Sequence, residues 1–301
     1  MTNFILIAVC MLAGLLLRRF TKLPEDAYKG VNALIINLAL PAVSFKYLPH
    51  LRWSGAMILP AMMPVVLWLC GWLYVRIYAA KARLDKPTEG GMKLVTCLSN
   101  TSFVGFPLVS AYFGDNALGI AVICDQVSFI LLATAGIAVA MNASDKHTLS
   151  VTTVLKKVTL FPPFIACAAA LILPLFMDIS PLDPLFDKLA ATVAPLALFS
   201  IGLQMKFDGW KSQIRHVSAS LVYKLILAPL IIYGIVWLSG MKGIIPQISI
   251  FEAAMPSFLT AGIIASEYHL NPRLSSLIVG ISIVFAFFTT AVWYLLIVGL
   301  A

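Results

Sequence analysis

The chain has few charged residues and no polar stretch long enough to form a soluble domain. Only 11% of its 301 residues are charged, 61% are hydrophobic, and the mean hydropathy is +0.96. Soluble domains contain about 25% charged and about 45–50% apolar residues. The deficit of charge therefore excludes a large soluble domain and predicts an all-α integral membrane protein embedded in a lipid bilayer.

Motifs of enzymes and of nucleotide-driven pumps are also missing. The sequence contains no Gly-x-x-x-x-Gly-Lys-Ser/Thr loop, no His-Glu-x-x-His zinc motif and no Gly-x-Ser-x-Gly elbow. Its five cysteines form no close pair, and its four histidines show no metal-ligand spacing. We therefore expect no catalytic residue, no metal, no cofactor and no enzyme activity. In a membrane protein, the net charge of +8 indicates basic cytoplasmic loops rather than a nucleic-acid partner.

Ten apolar segments are candidates for helices that cross a bilayer, which takes about 20 residues each. They lie at residues 4–17, 28–48, 56–80, 92–113, 117–141, 160–177, 185–205, 217–238, 244–268 and 274–300. The long polar connection between the fifth and sixth segments, at residues 143–159, falls near the midpoint of the chain.

Basic residues are concentrated in every second connection between these segments. If the N-terminus lies outside, 16 of the 21 lysines and arginines fall in inner connections or adjoining helix ends, and four fall in outer loops. Because basic residues are enriched on the cytoplasmic side, both termini are predicted to lie outside.

Similar patterns recur in the two halves of the chain. Asn37-Leu-Ala-Leu-Pro41 resembles Pro195-Leu-Ala-Leu-Phe199, and residues 100–117 share a Ser-Phe pair and a later asparagine with residues 255–272. The matches occur in the same order, which favours two five-helix repeats at residues 1–142 and 160–301, joined by a cytoplasmic loop at 143–159. An odd number of crossings makes the second repeat inverted.

Polar and helix-breaking residues lie in the middle of the fourth and ninth segments. Irregular backbone at membrane depth is tolerated only against protein or a water-filled cavity. Two broken helices that cross would direct the N–H groups of half-helix N-termini at one point, which attracts an anion. The alternative is a proline kink with small residues for close helix packing. The predicted substrate-binding residues are Asn100, Thr101, Gly105, Pro107, Pro256 and Ser257.

Three ionisable residues lie inside predicted spans: Asp125, with Gln126 beside it, Lys224 and Glu252. Such residues are costly at membrane depth unless they are paired, so they are expected to face the protein interior. Asp125 and Lys224 are interpreted either as a structural pair or as a proton or charge-coupling site. Glu252 is either a proton-coupling group beside the anion site or a hydrated residue nearer the outer surface.

Several motifs together resemble one transporter family. They are Asn37-Leu-Ala-Leu-Pro41 with Ser44-Phe45, Asn100-Thr101 followed by Gly105-Phe106-Pro107-Leu108, Tyr112-Phe113-Gly114-Asp115, Lys224-Leu-Ile-Leu-Ala-Pro229, and Glu267-Tyr268 followed by Pro272. The sequence thus resembles the auxin efflux carrier family, which includes plant PIN-formed carriers and bacterial malate and malonate permease-like proteins. The resemblance covers all ten segments. It supports Asn100, Thr101 and Pro107 as site residues and adds Asn37 and Ser44.

The resemblance implies ten helices in two inverted halves, with broken, crossing fourth and ninth helices. Helices 1, 2, 6 and 7 would form a scaffold that dimerises, and helices 3–5 and 8–10 a moving transport unit. The implied function is elevator-type transport of a small organic anion, a carboxylate, across a bacterial inner (plasma) membrane with periplasmic termini. The resemblance leaves open whether transport is coupled to protons, is coupled to sodium or proceeds as uniport. The alternatives are a membrane-embedded sensor or binding protein, or a channel, for the same ligands.

Overall fold

The structure is a computed structural model that describes residues 2–20, 23–24, 26–51, 53–144, 159–205 and 210–300. Across these ranges the chain forms helices and irregular connections, without a β-strand. The helices, named here in chain order, are α1 Thr2–Phe20, α2 Ala27–Tyr47, α3 Gly55–Ala82, α4 Lys86–Cys97, α5 Thr101–Phe113, α6 Asp115–Ala143, α7 Pro162–Leu175, α8 Ser180–Gln204, α9 Trp210–Val222 continuing through Tyr223–Leu227 and Ala228–Ser239, α10 Ile244–Ala253, α11 Leu259–Glu267 and α12 Pro272–Ile297.

Seven of these helices are long and apolar enough to cross a membrane: α1, α2, α3, α6, α8, α9 and α12. Large apolar side chains cover their outer faces. Leu69 is 62% exposed, Phe288 72% and Leu295 76%. Contact between such large apolar faces and water is unfavourable, whereas contact with lipid acyl chains is not. The chain is therefore an integral membrane protein.

The remaining three predicted spans differ from continuous long helices. The fourth is divided into α4 and α5, the ninth into α10 and α11, and the sixth is the short helix α7. The predicted loop at 143–159 falls almost wholly in residues 145–158, which lie outside the described residues.

Four helices contain a π-helical turn, in which one extra residue is accommodated. These turns are Ile35–Ala39 in α2, Thr101–Gly105 in α5, Leu132–Gly136 in α6 and Tyr223–Leu227 in α9. Single π-turns occur frequently at functional sites. Three of the four hold residues that the sequence analysis selected, namely Asn37, Thr101 and Lys224.

The chain divides into two compact units, each of which draws on both halves of the sequence. The first unit comprises the described residues within 1–54, 102–122 and 158–205. The second comprises those within 55–101, 123–157 and 206–301. The boundary at residue 101 assigns nearly all of α5 to the first unit.

In the first unit, α1 and α8 pack with their backbones in close contact. A methyl group on Gly14 would lie 2.2 Å from the carbonyl oxygen of Phe199, and one on Gly202 would lie 2.2 Å from that of Met11. Only glycine fits at both positions, which is the way small residues bring membrane helices together. Arg18 extends this contact by donating from Nη1 to the carbonyl of Met205 at 2.8 Å.

In the second unit, α3 holds the π-turn of α9 against the end of α4. The hydroxyl of Tyr223 donates to the carbonyl of Leu67 at 2.6 Å, and a methyl group on Gly71 would lie 2.9 Å from both Cys97 and Tyr223. One turn earlier, the hydroxyl of Thr96 donates to that of Ser220 at 2.9 Å. These contacts fix the position of Lys224, the residue after Tyr223.

Candidate functional site

Two helical segments are interrupted at buried positions of the second unit, at residues 98–101 and 254–258. The first interruption separates α4, which ends at Cys97, from the helical turn that begins at Thr101. The second separates α10, which ends at Ala253, from α11, which begins at Leu259. An interruption of this kind releases backbone N–H and C=O groups that must find partners when no water is available.

The two interruptions satisfy each other. The N–H of Asn100 donates to the carbonyl of Pro256 at 2.8 Å, and the N–H of Phe258 donates to the carbonyl of Leu98 at 3.2 Å. The two chain segments in this short contact run antiparallel. We call residues 98–101 and 254–258 together the crossover.

The first interruption lies upstream of the position that Gly105 and Pro107 indicated. Gly105 belongs to a π-turn, and Pro107 is the second residue of the regular helix that follows, Phe106–Phe113. The π-turn directly before Pro107 already displaces the regular backbone bonding of the helix, so the missing N–H of the proline costs little there. Pro256, in contrast, lies within the second interruption and supplies its carbonyl to Asn100.

Lys224 connects the two interruptions through a fully buried ammonium group. Its Nζ donates to the hydroxyl of Ser99 at 2.6 Å and to the carbonyl of Ala253 at 3.3 Å. Ala253 is the last residue of α10, where unpaired carbonyls give a helix its negative end. The lysine therefore places a positive charge where the backbone favours it, and joins the C-terminal end of α10 to the first interruption.

A second polar contact lies on the α6 side of the crossover. The hydroxyl of Thr101 donates to Oδ1 of Asp125 at 2.7 Å, and both residues are buried. Gln126 follows in α6 and is also buried, and its Oε1 has no hydrogen-bond partner among the described residues. The structure gives Asp125 and Lys224 different partners here, so a direct pair between them stays a prediction.

Two buried groups near the crossover have unused hydrogen-bonding capacity within the described part of the chain. Both carboxyl oxygens of Glu252 and the hydroxyl of Ser257 are without a partner, and both residues are 0% exposed. Asp125 and Lys224 are the ionisable side chains that interact electrostatically with Glu252, apart from the nearby thiol of Cys124. A buried polar atom without a partner is costly, which is expected where a ligand or a proton completes the bonding.

Asn37 and Ser44, from the first unit, are satisfied within their own helix. The amide of Asn37 is exposed and donates to the carbonyl of Ala33 at 2.7 Å. Ser44 is buried, and its hydroxyl donates to the carbonyl of Leu40 at 3.5 Å. Their assignment as substrate-binding residues stays a prediction.

Pro107 lines a cavity of about 190 Å³ inside the first unit. Lys46 and Tyr47 at the end of α2 also line this cavity, and Lys46 forms an ion pair with Asp187 at 3.0 Å. Ser110 donates from its hydroxyl to Asp115 at the same cavity. Of these residues, only Pro107 is a site residue predicted from the sequence.

Ser99 and Ser282 are functional candidates that the sequence analysis did not select. Ser99 accepts from Lys224, and the hydroxyl of Ser282 accepts from the N–H of Ser257 at 3.1 Å. Ser99 could have been predicted as a site residue from the sequence, since it directly precedes Asn100. Ser282 gave no signal, because a single serine in an apolar helix is common and its partner is 25 residues away.

Within the described ranges, no group of three or more histidine, cysteine, aspartate or glutamate side chains is arranged to hold a metal ion. Instead, the buried polar groups are distributed around two paired helix interruptions. Irregular backbone enclosed by apolar helices is a feature of proteins that move solutes across membranes, in both channels and transporters.

Comparison with known proteins identifies the family. A family model described as membrane transport protein matches residues 1–294, so the chain belongs to that family and the membership predicted from its motifs is confirmed. An uncharacterized transporter of Methanothermobacter thermautotrophicus is 23% identical over 95% of both chains, and another, from Methanocaldococcus jannaschii, is 25% identical over 96% of both. A Rhizobium meliloti protein, provisionally named a malonate transporter, is 26% identical over 85% of this chain and 82% of its own.

Proposed function

We propose that this chain is a secondary or facilitated transporter of a small organic anion and that it binds a carboxylate group at the crossover. The observation that carries the proposal is the pairing of two buried helix interruptions beside the side chains of Asn100 and Ser257. The hydroxyl of Ser257 has no partner among the described residues, so it is available to a ligand.

The direction of helix α11 supports an anionic ligand. Helix α11 begins at the crossover, so its first N–H groups are directed toward it. Helix N-termini carry a partial positive charge and bind carboxylate groups readily. Lys224 adds a basic side chain beside Ser99. The provisional name of the Rhizobium relative makes malonate, a small dicarboxylate, the first acid to test.

We infer elevator-type alternating access, in which the second unit carries the crossover and moves as a body. The division of the chain into two compact units that each draw on both halves supports this mechanism, although residues 102–122 group with the first unit. The proposal also includes ten spans in two inverted repeats, periplasmic termini in a bacterial inner membrane, and a homodimer. These last features rest on the family resemblance and on the distribution of basic residues.

Ligand binding gives the first test, through the thermal stability of the purified protein in detergent. A ligand that binds only the folded state stabilises it by about 2.7 kcal/mol at 100 times its Kd. We expect malonate to raise the melting midpoint and uncharged malonamide to leave it unchanged. Stabilisation by malonamide as well would remove the requirement for a carboxylate.

Ser257→Ala and Ser249→Ala form a matched pair for locating the site. Both serines are fully buried near the same interruption, but the hydroxyl of Ser249 already donates to Ile245 at 2.9 Å within α10. We expect Ser257→Ala to weaken malonate binding roughly tenfold, as for the loss of one hydrogen bond to a charged group. Ser249→Ala should bind like the wild type, and equal effects of the two changes would move the site elsewhere.

We further propose that Glu252 carries the proton that couples transport to the pH gradient. A charged carboxylate buried without a donor is unfavourable, so Glu252 is expected to bind a proton in this state and to release it when alternating access opens the site to water. Glu252→Gln should abolish malonate accumulation driven by an imposed pH gradient in proteoliposomes. Exchange of malonate for malonate moves no net proton and should persist within about threefold.

The wild type supplies the control for this coupling test. Accumulation by the wild type that does not respond to the gradient would indicate uniport. Gradient-driven accumulation that survives in Glu252→Gln would assign the proton to another group, with Asp125 next to examine because it interacts with Glu252.

A further inference from the structure

An open apolar groove lies between α9 and α12, on a face of the second unit that the transport proposal does not use. Its volume is about 380 Å³, and its walls include Ile214 and Leu221 from α9 and Ile281 and Phe285 from α12. Ser218 lies between the two α9 residues. An apolar groove of this kind on a membrane-exposed face has the chemistry of an acyl-chain site.

The two helices run parallel, so their N-terminal ends lie at the same end of the groove. Ile214 of α9 and Ile281 of α12 line the same apolar groove. Farther along both helices, the indole of Trp293 in α12 donates to the carbonyl of Leu225 in α9 at 2.9 Å. Residue numbers therefore increase in the same direction on both helices. The first turns of α9 and α12 mark one end of the groove.

Basic side chains are concentrated at that end. Lys211 and Arg215 are exposed in the first two turns of α9, and their spacing of four residues places them on one helix face beside Ile214 and Ser218. Arg273 is exposed at the second position of α12. None of the ion pairs found among the described residues involves these three cations.

We propose that this groove binds an anionic phospholipid, with one acyl chain along the apolar walls and the phosphate between Lys211 and Arg215. Basic residues at the end of an apolar groove between membrane helices provide the charge complementarity that selects anionic over zwitterionic headgroups. The lysine supplies a compact charge, and the arginine supplies a planar set of donors suited to phosphate oxygens. Arg273 lies farther out and adds to the positive field.

This lipid site is independent of the carboxylate site. Its walls come from the outer faces of α9 and α12, whereas the crossover uses Ser99, Asn100 and Ser257. Failure of malonate binding would therefore leave the lipid proposal standing, and the converse also holds.

Titration of the delipidated, detergent-purified protein with dioleoyl phosphatidylglycerol, read by native mass spectrometry, tests the proposal. We expect one tightly retained lipid per chain and much weaker retention of dioleoyl phosphatidylcholine. Lys211→Gln with Arg215→Gln should weaken retention about thirtyfold, from roughly fivefold for each basic residue at a lipid surface. Arg19→Gln with Lys29→Gln removes the same charge from exposed positions of the first unit and should change little.

Ser218→Trp separates the groove from the charges, because it fills the apolar wall and leaves both cations in place. This variant should also lose the retained lipid. Equal retention of the two lipids, or undiminished retention in both Ser218→Trp and the Lys211 and Arg215 variant, would overturn the proposal. Displacement of the lipid by millimolar inorganic phosphate would indicate a free-phosphate site and would overturn it as well.

Discussion

Asn100→Ala is expected to reduce malonate counterflow in proteoliposomes strongly at concentrations that half-saturate the wild type, while the protein remains folded. The Asn100 side chain is fully buried at the first interruption. Its backbone N–H, which pairs with Pro256, is unaffected by the substitution. The change therefore removes the amide from the site and leaves the backbone pairing of the crossover in place.

The size of this effect follows from the chemistry of the contact. A hydrogen bond to a charged group contributes about 1.5–3 kcal/mol, so affinity should fall roughly tenfold to a hundredfold. Asn142→Ala is the control, because Asn142 is an exposed amide near the end of α6 in the same unit. Counterflow that survives in Asn100→Ala at the wild-type rate would exclude the crossover as the substrate site.

Lys224→Met is expected to impair both folding and transport. The buried ammonium group bonds to Ser99 and to the end of α10, and it lies within electrostatic range of Glu252. The loss of hydrogen bonds from a charged donor costs about 1.5–3 kcal/mol for each bond. The melting midpoint should fall by roughly 10 °C. Lys242→Met, which removes an exposed lysine, should leave the midpoint almost unchanged.

A double variant distinguishes charge compensation from a loss of packing. Glu252 is proposed to hold a proton, so its neutral carboxyl does not compensate the ammonium group, and the effects of Lys224→Met and Glu252→Gln on stability are expected to add. Recovery of stability by Glu252→Gln in the Lys224→Met background, with a coupling of about 0.5–3 kcal/mol, would show that the carboxyl is ionised beside the lysine. Additive effects would show that Lys224 acts through its bonds to Ser99 and Ala253 alone.

Composition was enough to predict a membrane-embedded protein, because this prediction depends only on the overall proportions of charged and apolar residues. A chain with 11% charged residues cannot cover a soluble surface, and apolar segments of helical length must lie in a bilayer. The polar residues in the fourth and ninth segments likewise indicated interrupted helices, since serine and asparagine at membrane depth need partners. The structure places paired interruptions in both segments.

The position of the first interruption was harder to predict. Gly105 and Pro107 are the usual helix breakers, yet the helix begins before them and tolerates the proline in its first regular turn. The preceding Leu98–Asn100 segment leaves the helix because the second interruption supplies partners for its backbone. That exchange joins residues more than 150 positions apart, and no local pattern reveals it.

The partners of Lys224 show the same limit. A lysine in an apolar segment predicts an interior position and a neutralising contact, and the pair with Asp125 stays a prediction. In the structure the ammonium bonds to Ser99 and to the end of α10. The partial negative charge at the C-terminal end of a helix comes from backbone carbonyls and not from a particular residue type. The acidic residues in the sequence therefore do not reveal this partner.

The central claim, carriage of a carboxylate, is tested most directly by counterflow of labelled malonate in proteoliposomes that contain the wild-type protein. The proposed function predicts that unlabelled malonate inside the vesicles accelerates entry of the label, that the rate saturates with concentration, and that malonamide inside has no effect. Binding of malonate without flux would instead identify a sensor. Flux that neither saturates nor responds to malonate on the opposite side would identify a channel and contradict the assignment.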